Sequence, residues 1–262
     1  MQNEHRHSQS DYLALIAKMV SAYKERTYEL MQIQAGDKVL DMGCGPATDT
    51  IFLASLVGKA GKVVGVDIDE EQIARARQRA AEAGVEQWVT HLSVDGQQLP
   101  FDPNYFDAAR SERVFQHNTD PKRLLKEIVR VTKPGCRVVV VDTDWSTMSI
   151  DTDLIDIEQK LKKFHVETVI KNGFSGRKLY RLFLQSGLDG VRVELAPTFV
   201  TDYRVSRLAT WYDVTEKLAL EAGIVSEKEL EEFHAELEKA DSEGRYFATV
   251  LQIIVTGCKP YQ

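Results

Sequence analysis

Two glycines and three acids carry the chemical signal of this chain. Val39-Leu40-Asp41-Met42-Gly43-Cys44-Gly45-Pro46-Ala47-Thr48 reads as an apolar strand, a glycine-rich turn and the start of a helix. Glycines spaced G-x-G let a backbone pass close to a ligand, because neither carries a Cβ. The G-x-G-x-x-G form that closes a helix N-terminus on a pyrophosphate is incomplete, since Thr48 stands at its sixth position. Lys62-Val63-Val64-Gly65-Val66-Asp67 is a second apolar run ending in a carboxylate. Asp67 falls about twenty residues past the glycines, the spacing at which an acid accepts hydrogen bonds from ribose hydroxyls. A third run ends in Asp95-Gly96, an acid and a turn suited to an exocyclic amine. Together the three point to a nucleoside-type ligand.

These residues need a scaffold that brings strand ends together. The pattern reads strand 38–42, helix 47–57, strand 62–67, helix 70–83, strand 88–94, strand 105–110, helix 120–131 and strand 136–142. Such alternation implies a parallel sheet with helices on both faces. Ligands bind such sheets at the carboxyl ends of the strands, where Asp41, Asp67, Asp95, Ser111 and Asp142 fall. A helical stretch over 11–34, started by Ser10-Asp11, precedes the first strand. After Asp142 the alternation loosens into helices over 151–171 and 176–186, a strand over 191–197, helices over 206–222 and 226–240, and a last strand over 246–257.

With these motifs in place, the chain resembles the class I S-adenosylmethionine-dependent methyltransferases. The matching stretches are VLDMGCGPAT (39–48), VVGVDID (63–69), SVDGQQLPFDPNYFDAARS (93–111) and LLKEIVRVTKPGCRVVVVD (124–142). The last two resemble the ubiquinone- and menaquinone-type branch, from which Cys136 departs where a glycine is usual. The resemblance implies an α/β, Rossmann-like fold with a seven-stranded, mostly parallel sheet. It implies helices on both faces, an antiparallel last strand and helical lid insertions. One methyltransferase domain over 1–262 is expected: N-terminal helices 1–34, cofactor core 35–145, lid segments 146–175 and 203–243, and final strand 246–257.

The expected cofactor is S-adenosyl-L-methionine. Gly43, Cys44 and Gly45 approach it, Asp67 takes the ribose, Ile68 packs on the adenine, and Asp95 with Gly96 meets the exocyclic amine. Asp41 orients the loop or approaches the methionine amine. Ser111, just past the fourth strand, meets the methionine end, and Gln72 and Thr48 are further contacts. Asp69, followed by Glu70-Glu71, suits the N-cap of the next helix. Tyr12 and Tyr23 could close over the methionine end or simply pack.

A sulfonium makes its methyl group electrophilic, so alignment of the acceptor and exclusion of water supply much of the catalysis. A general base is needed only for an acceptor protonated in its ground state. His117 is the candidate base by type, with a helix-end histidine bonded to a carbonyl as the competing assignment. Arg113 binds a carboxylate or pairs with Glu112 or Asp120. Asp144, the second candidate catalytic residue, and Trp145 lie in the loop after the fifth strand and face the acceptor. His165, Tyr203 and Trp211 line its pocket, although a surface or lid role is the plainer assignment for His165.

The 262 residues suffice for a sizeable core. A net charge of −7 argues against a nucleic-acid surface. No apolar run reaches membrane-spanning length. Residues 1–10 are polar, with His5 and His7 among them, and have no secretory h-region. Cys44, Cys136 and Cys258 lie far apart, which fits a reducing cytoplasm and disfavours a metal site. The function expected is methyl transfer to a small, hydrophobic or aromatic metabolite, with a homodimer conceivable. A non-methylating S-adenosylmethionine-binding role and, remotely, a nicotinamide-dependent oxidoreductase stay open.

Overall fold

A computed structural model describes residue 21 and residues 23–261. The start of the N-terminal helix, Tyr12, His5 and His7 lie outside the described residues. The chain divides into two compact units, one of residues 25–142, 175–194 and 253–262, the other of residues 143–174 and 195–252 with the chain start.

Helix α1 (residues 23–31) enters the first unit at residue 25, which then holds β1 (Lys38–Met42), α2 (Thr48–Val57), β2 (Lys62–Asp67), α3 (Glu70–Glu82), β3 (Val89–Ser93), β4 (Phe106–Glu112) and α4 (Pro121–Val131). Strand β5 (Thr132–Ile150) starts here and runs into the second unit. The second unit adds α5 (Ile155–Phe164), and α6 (Ser175–Gln185) returns to the first. Strand β6 (Asp189–Val200) leads to α7 (Tyr203–Thr210), α8 (Tyr212–Glu221) and α9 (Glu227–Ser242), and β7 (Ala248–Cys258) closes the chain.

The sheet has seven strands in the order β3-β2-β1-β4-β5-β7-β6. Strands β1 to β5 pair in parallel. β7 runs antiparallel to β5: Gly135 N donates to the Lys259 carbonyl at 2.7 Å and Lys259 N to Cys136 at 3.0 Å. The chain winds one way from β1 to β3 and the other from β4 onward. The switch point therefore lies between β1 and β4, where open α/β sheets bind ligands.

Local chemistry explains these elements. β1 and β2 are nearly continuous apolar runs, as strands covered on both faces are. α3 starts at Asp69, whose side chain accepts from Glu71 N and Gln72 N. α4 starts at Asp120 with Pro121 in its first turn, and it buries Leu124, Leu125, Ile128 and Val131 along one stripe. α9 carries a full capping box between Ser226 and Glu229.

Three expectations are corrected. The fourth strand continues through Glu112, so Ser111 lies within it, in register with Met42 and Val140. The fifth strand does not stop at Asp142. Its polar run is satisfied inside the strand: Asp142 accepts from Gln116 N at 3.0 Å, and Thr143 donates to Gln252 at 2.9 Å. Asp144 and Trp145 thus belong to β5 rather than to a loop. The expected helices over 151–171 and 206–222 are each broken. The first ends in a π-type turn over His165–Val169, and the second is interrupted by Trp211 in the left-handed conformation (φ 55°).

Candidate functional site

The glycine turn is fastened to β2. Gly43 N and Cys44 N both donate to the Val66 carbonyl, at 2.7 and 3.0 Å. Gly43 has φ 76°, and a Cβ there would come within 2.1 Å of Val114 Cγ2. Gly45 has φ 49°, and a Cβ there would meet nothing within 4 Å. One glycine is required by the protein's own packing, while the other faces open space that a ligand can enter. Asp67 ties the turn to the next helix: Oδ2 accepts from Gly45 N and Oδ1 from Asp69 N, both at 3.0 Å. A carboxylate has about four acceptor sites, so two further donors can still be received. Beside it Ile68 is 74 % exposed, an aliphatic face open at the strand end.

Asp95 is exposed, and its Oδ1 accepts from Gln97 N at 2.9 Å, closing a turn. Gly96 packs against Met42 and Leu124. Gln72 gives its backbone N–H to the Asp69 cap. Thr48 opens α2 and receives Arg79 Nη1 at 3.3 Å. Ser111 is buried, and its Oγ has no hydrogen-bond partner among the described residues.

A buried ion cluster under the turn escaped the sequence reading. Arg110 is 1 % exposed and lies 3.5 Å from Asp41, 3.1 Å from Asp49 and 2.6 Å from Glu112. Its guanidinium also sits 5.1 Å over the Tyr28 ring, whose hydroxyl donates to Asp49. Burial alone would lower the arginine pKa; the Asp41, Asp49 and Glu112 carboxylates reverse that and hold it above its ordinary value. Burial and the Asp49 charge push the Tyr28 phenol up. Asp41 is thereby fixed at the switch point. The signal was present in the strand register, because Asp41 and Arg110 are opposite neighbours on β1 and β4.

Behind the turn, His91 Nε2 meets Thr50 Oγ1 at 2.9 Å, and burial lowers its pKa to about 4. Cys44 packs into the space left by Gly65, where a Cβ would lie 2.8 Å from the thiol sulfur. Burial, then the charges of Asp41 and Asp67, raise the thiol pKa.

The remaining candidates divide between the units. In the first, Arg113 follows β4 with φ 53° and places Nε 3.7 Å from Glu112. His117 ends a 3₁₀ turn, is exposed, and lies 3.1 Å from Gln116 Nε2. In the second, Asp144 is buried and accepts from Ser146 Oγ at 2.8 Å. Trp145 meets the His165 ring edge-on at 4.9 Å between centroids. His165 is fully buried, which corrects the expectation of a surface histidine, and Val166 and Leu161 are buried beside it. Tyr203 is buried too, its hydroxyl taken by Arg207 at 3.0 Å. Trp211 is 56 % exposed at the α7–α8 break. Tyr23 is buried. Among the described residues no cluster of side chains could hold a metal ion. No described helix is long and apolar enough to cross a membrane.

Comparison with known proteins agrees with this geometry. A family model described as a methyltransferase domain matches residues 33–187. The chain belongs to the S-adenosylmethionine-dependent methyltransferase family. A demethylmenaquinone methyltransferase of Bacillus cereus is 36 % identical over 127 residues, 48 % of this chain and 53 % of the relative. An uncharacterized 37.1 kDa protein in transposon TN4556 of Streptomyces fradiae is 34 % identical over 166 residues, 63 % of this chain and 47 % of the relative. A SAM-dependent methyltransferase from Aquifex aeolicus shares the fold at a TM-score of 0.51 and 17 % identity, over 88 % of each chain. The chain spans about half the length of the curated relatives it matches. The family to which the chain belongs uses S-adenosylmethionine as its cofactor. The match favours neither a non-methylating role nor a nicotinamide-dependent one.

Proposed function

We propose that this methyltransferase moves the methyl group of S-adenosylmethionine to a small, hydrophobic or aromatic metabolite. The observation that carries the reading is the turn Gly43–Gly45, held on Val66 and Asp67 with open space above Gly45. The donor set fits the cofactor. Asp67 has acceptor capacity for ribose hydroxyls, Ile68 offers an apolar face for adenine, and the exposed carboxylate of Asp95 suits an amine. Asp41, fixed by Arg110, suits the cationic methionine end, and buried Ser111 Oγ lies in register beside Met42.

The cofactor supplies an electrophilic methyl on a sulfonium. The protein's own residues bind, orient and exclude water, which is where most of the rate advantage of such a transfer originates. His117 is exposed and near Gln116, so its role is to receive a proton from an acceptor that needs a base. Asp144 is buried among its own strand's hydroxyls and positions the segment that carries Trp145.

Calorimetry with S-adenosylhomocysteine, followed by an acceptor screen for its release from S-adenosylmethionine, tests the reading. Binding plus release with an aromatic or isoprenoid acceptor is expected. No binding to the full chain would refute it.

A further inference from the structure

The glycine loop between β1 and α2 is held in a shape that its own sequence disfavours. Gly43, Gly45 and Ala47 all have positive φ, at 76°, 49° and 68°. Ala47 carries a Cβ, which crowds the following carbonyl in the left-handed region. It is also the N-cap of α2, and its methyl group makes no capping hydrogen bond. A strained backbone persists only where its surroundings over-determine it. Two arginines from outside the loop supply that constraint.

Arg110 joins the two ends. Asp41 lies two residues before Gly43, and Asp49 two residues after Ala47. Arg110 Nη1 is 3.5 Å from the first carboxylate and 3.1 Å from the second. Its Nη2 donates at 2.6 Å to Glu112, on the same strand. One arm of the planar fork is thus anchored on β4, and the other spans the mouth of the loop. Arg79 holds the middle. It reaches over from α3, and its Nη1 donates to the Pro46 carbonyl at 2.8 Å and to Thr48 Oγ1 at 3.3 Å. Arg79 is exposed, so replacing it disturbs no packed core.

We infer that Arg79 and Arg110 are positioning residues for the methyl donor, holding the middle and the two ends of the loop in the conformation that binds it. The inference deepens the methyl-transfer reading and rests on it for naming the guest of the loop. With the loop ordered beforehand, none of the binding energy of the guest goes into ordering it.

The test sets amide hydrogen exchange at Gly43, Cys44 and Gly45 in the ligand-free full chain beside calorimetry with S-adenosylhomocysteine. These amides are bonded to Val66 and Asp67, so they exchange when the loop opens. Arg79→Met keeps the stem and loses the donors. We expect it to speed their exchange about fivefold, as loss of one net hydrogen bond does, with the urea midpoint held. Arg79→Lys, which keeps a donor for Pro46, should recover part of the protection. Arg75→Met, one turn earlier on α3, should change nothing. Arg110→Lys keeps the charge but not the fork, and should speed exchange about tenfold. If the buried Arg110 tolerates no replacement, Asp49→Asn removes the α2 end of the bridge alone and should act in the same direction. Arg79→Met combined with either should leave the amides nearly unprotected. Affinity should then fall by the factor by which the closed loop is depopulated, which the protection gives directly. Unchanged exchange in Arg79→Met, an equal change in Arg75→Met, or faster exchange spread over the whole chain would each overturn the inference. So would full affinity in a combined variant whose loop amides are unprotected. Failure of S-adenosylhomocysteine to bind the unaltered chain would instead refute the methyl-transfer reading, and the exchange rates would still decide whether the arginines hold the loop.

Discussion

Replacing Tyr212 by phenylalanine should make the ligand-free protein more stable. The hydroxyl is sealed from solvent and unbonded among the described residues. An orphan of this kind costs about 1–3 kcal/mol relative to its hydrated state in the unfolded chain. The substitution removes one oxygen and leaves a void of roughly 10 Å³, which returns only about 0.2 kcal/mol at the usual cavity cost. The net expectation is a gain of about 1–2 kcal/mol. Urea unfolding measures it directly: the midpoint should rise at constant m-value, because the buried surface is unchanged. A gain in stability would show a hydroxyl retained at the expense of the fold. A loss of about 1 kcal/mol or more would show that the hydroxyl makes a hydrogen bond in the free protein, and the orphan argument would fall.

Asp67→Ala should lower cofactor affinity by about 2–4 kcal/mol through lost charge-assisted bonds and a loosened Gly45, read by calorimetry with S-adenosylhomocysteine. Unchanged affinity would remove Asp67 from the site. Gly43→Ala should abolish cofactor binding, because its Cβ collides with Val114 Cγ2, and adding Val114→Ala should restore part of it; no recovery in the double variant would place the defect in the backbone conformation instead. His91 and His165 each titrate near 4 when folded, against about 6.5 when unfolded. Since the folded pKa values are depressed, the unfolded chain binds more protons between them. Stability is full above pH 6.5 and falls as pH drops toward 4, by up to about 3 kcal/mol per histidine. Unfolding measured at pH 7.5 and 4.5 should show this loss, and a smaller one in His165→Phe; a flat profile would contradict the burial argument.

The turn on which the proposed cofactor site rests was legible because its chemistry is local. The G-x-G turn, Asp67 and the Asp69 cap each follow from residues adjacent in sequence. Arg110 was hidden because its partners Asp41, Asp49 and Tyr28 converge only when β1, β4, α1 and α2 assemble. Asp142-Thr-Asp144 looked like a loop because polarity usually marks one. The residues that satisfy it, Gln116 and Gln252, are distant in the chain. His165 read as a surface histidine for the same reason: its burial depends on Trp145, Tyr212 and Thr215, none of them near it in sequence.

The thiol of Cys44 sits at the middle of the glycine turn, seated in the notch that Gly65 leaves and held protonated by burial. Thiolates, not thiols, react with alkylating reagents. The two other cysteines are only partly buried. Cys44 therefore acts as a clock inside the turn: it becomes reactive only when the backbone lifts away from Val66. Its rate of alkylation, followed at that residue apart from Cys136 and Cys258, would time that opening with no reporter built into the chain, and a bound cofactor would slow the clock in proportion to how firmly it keeps the turn closed.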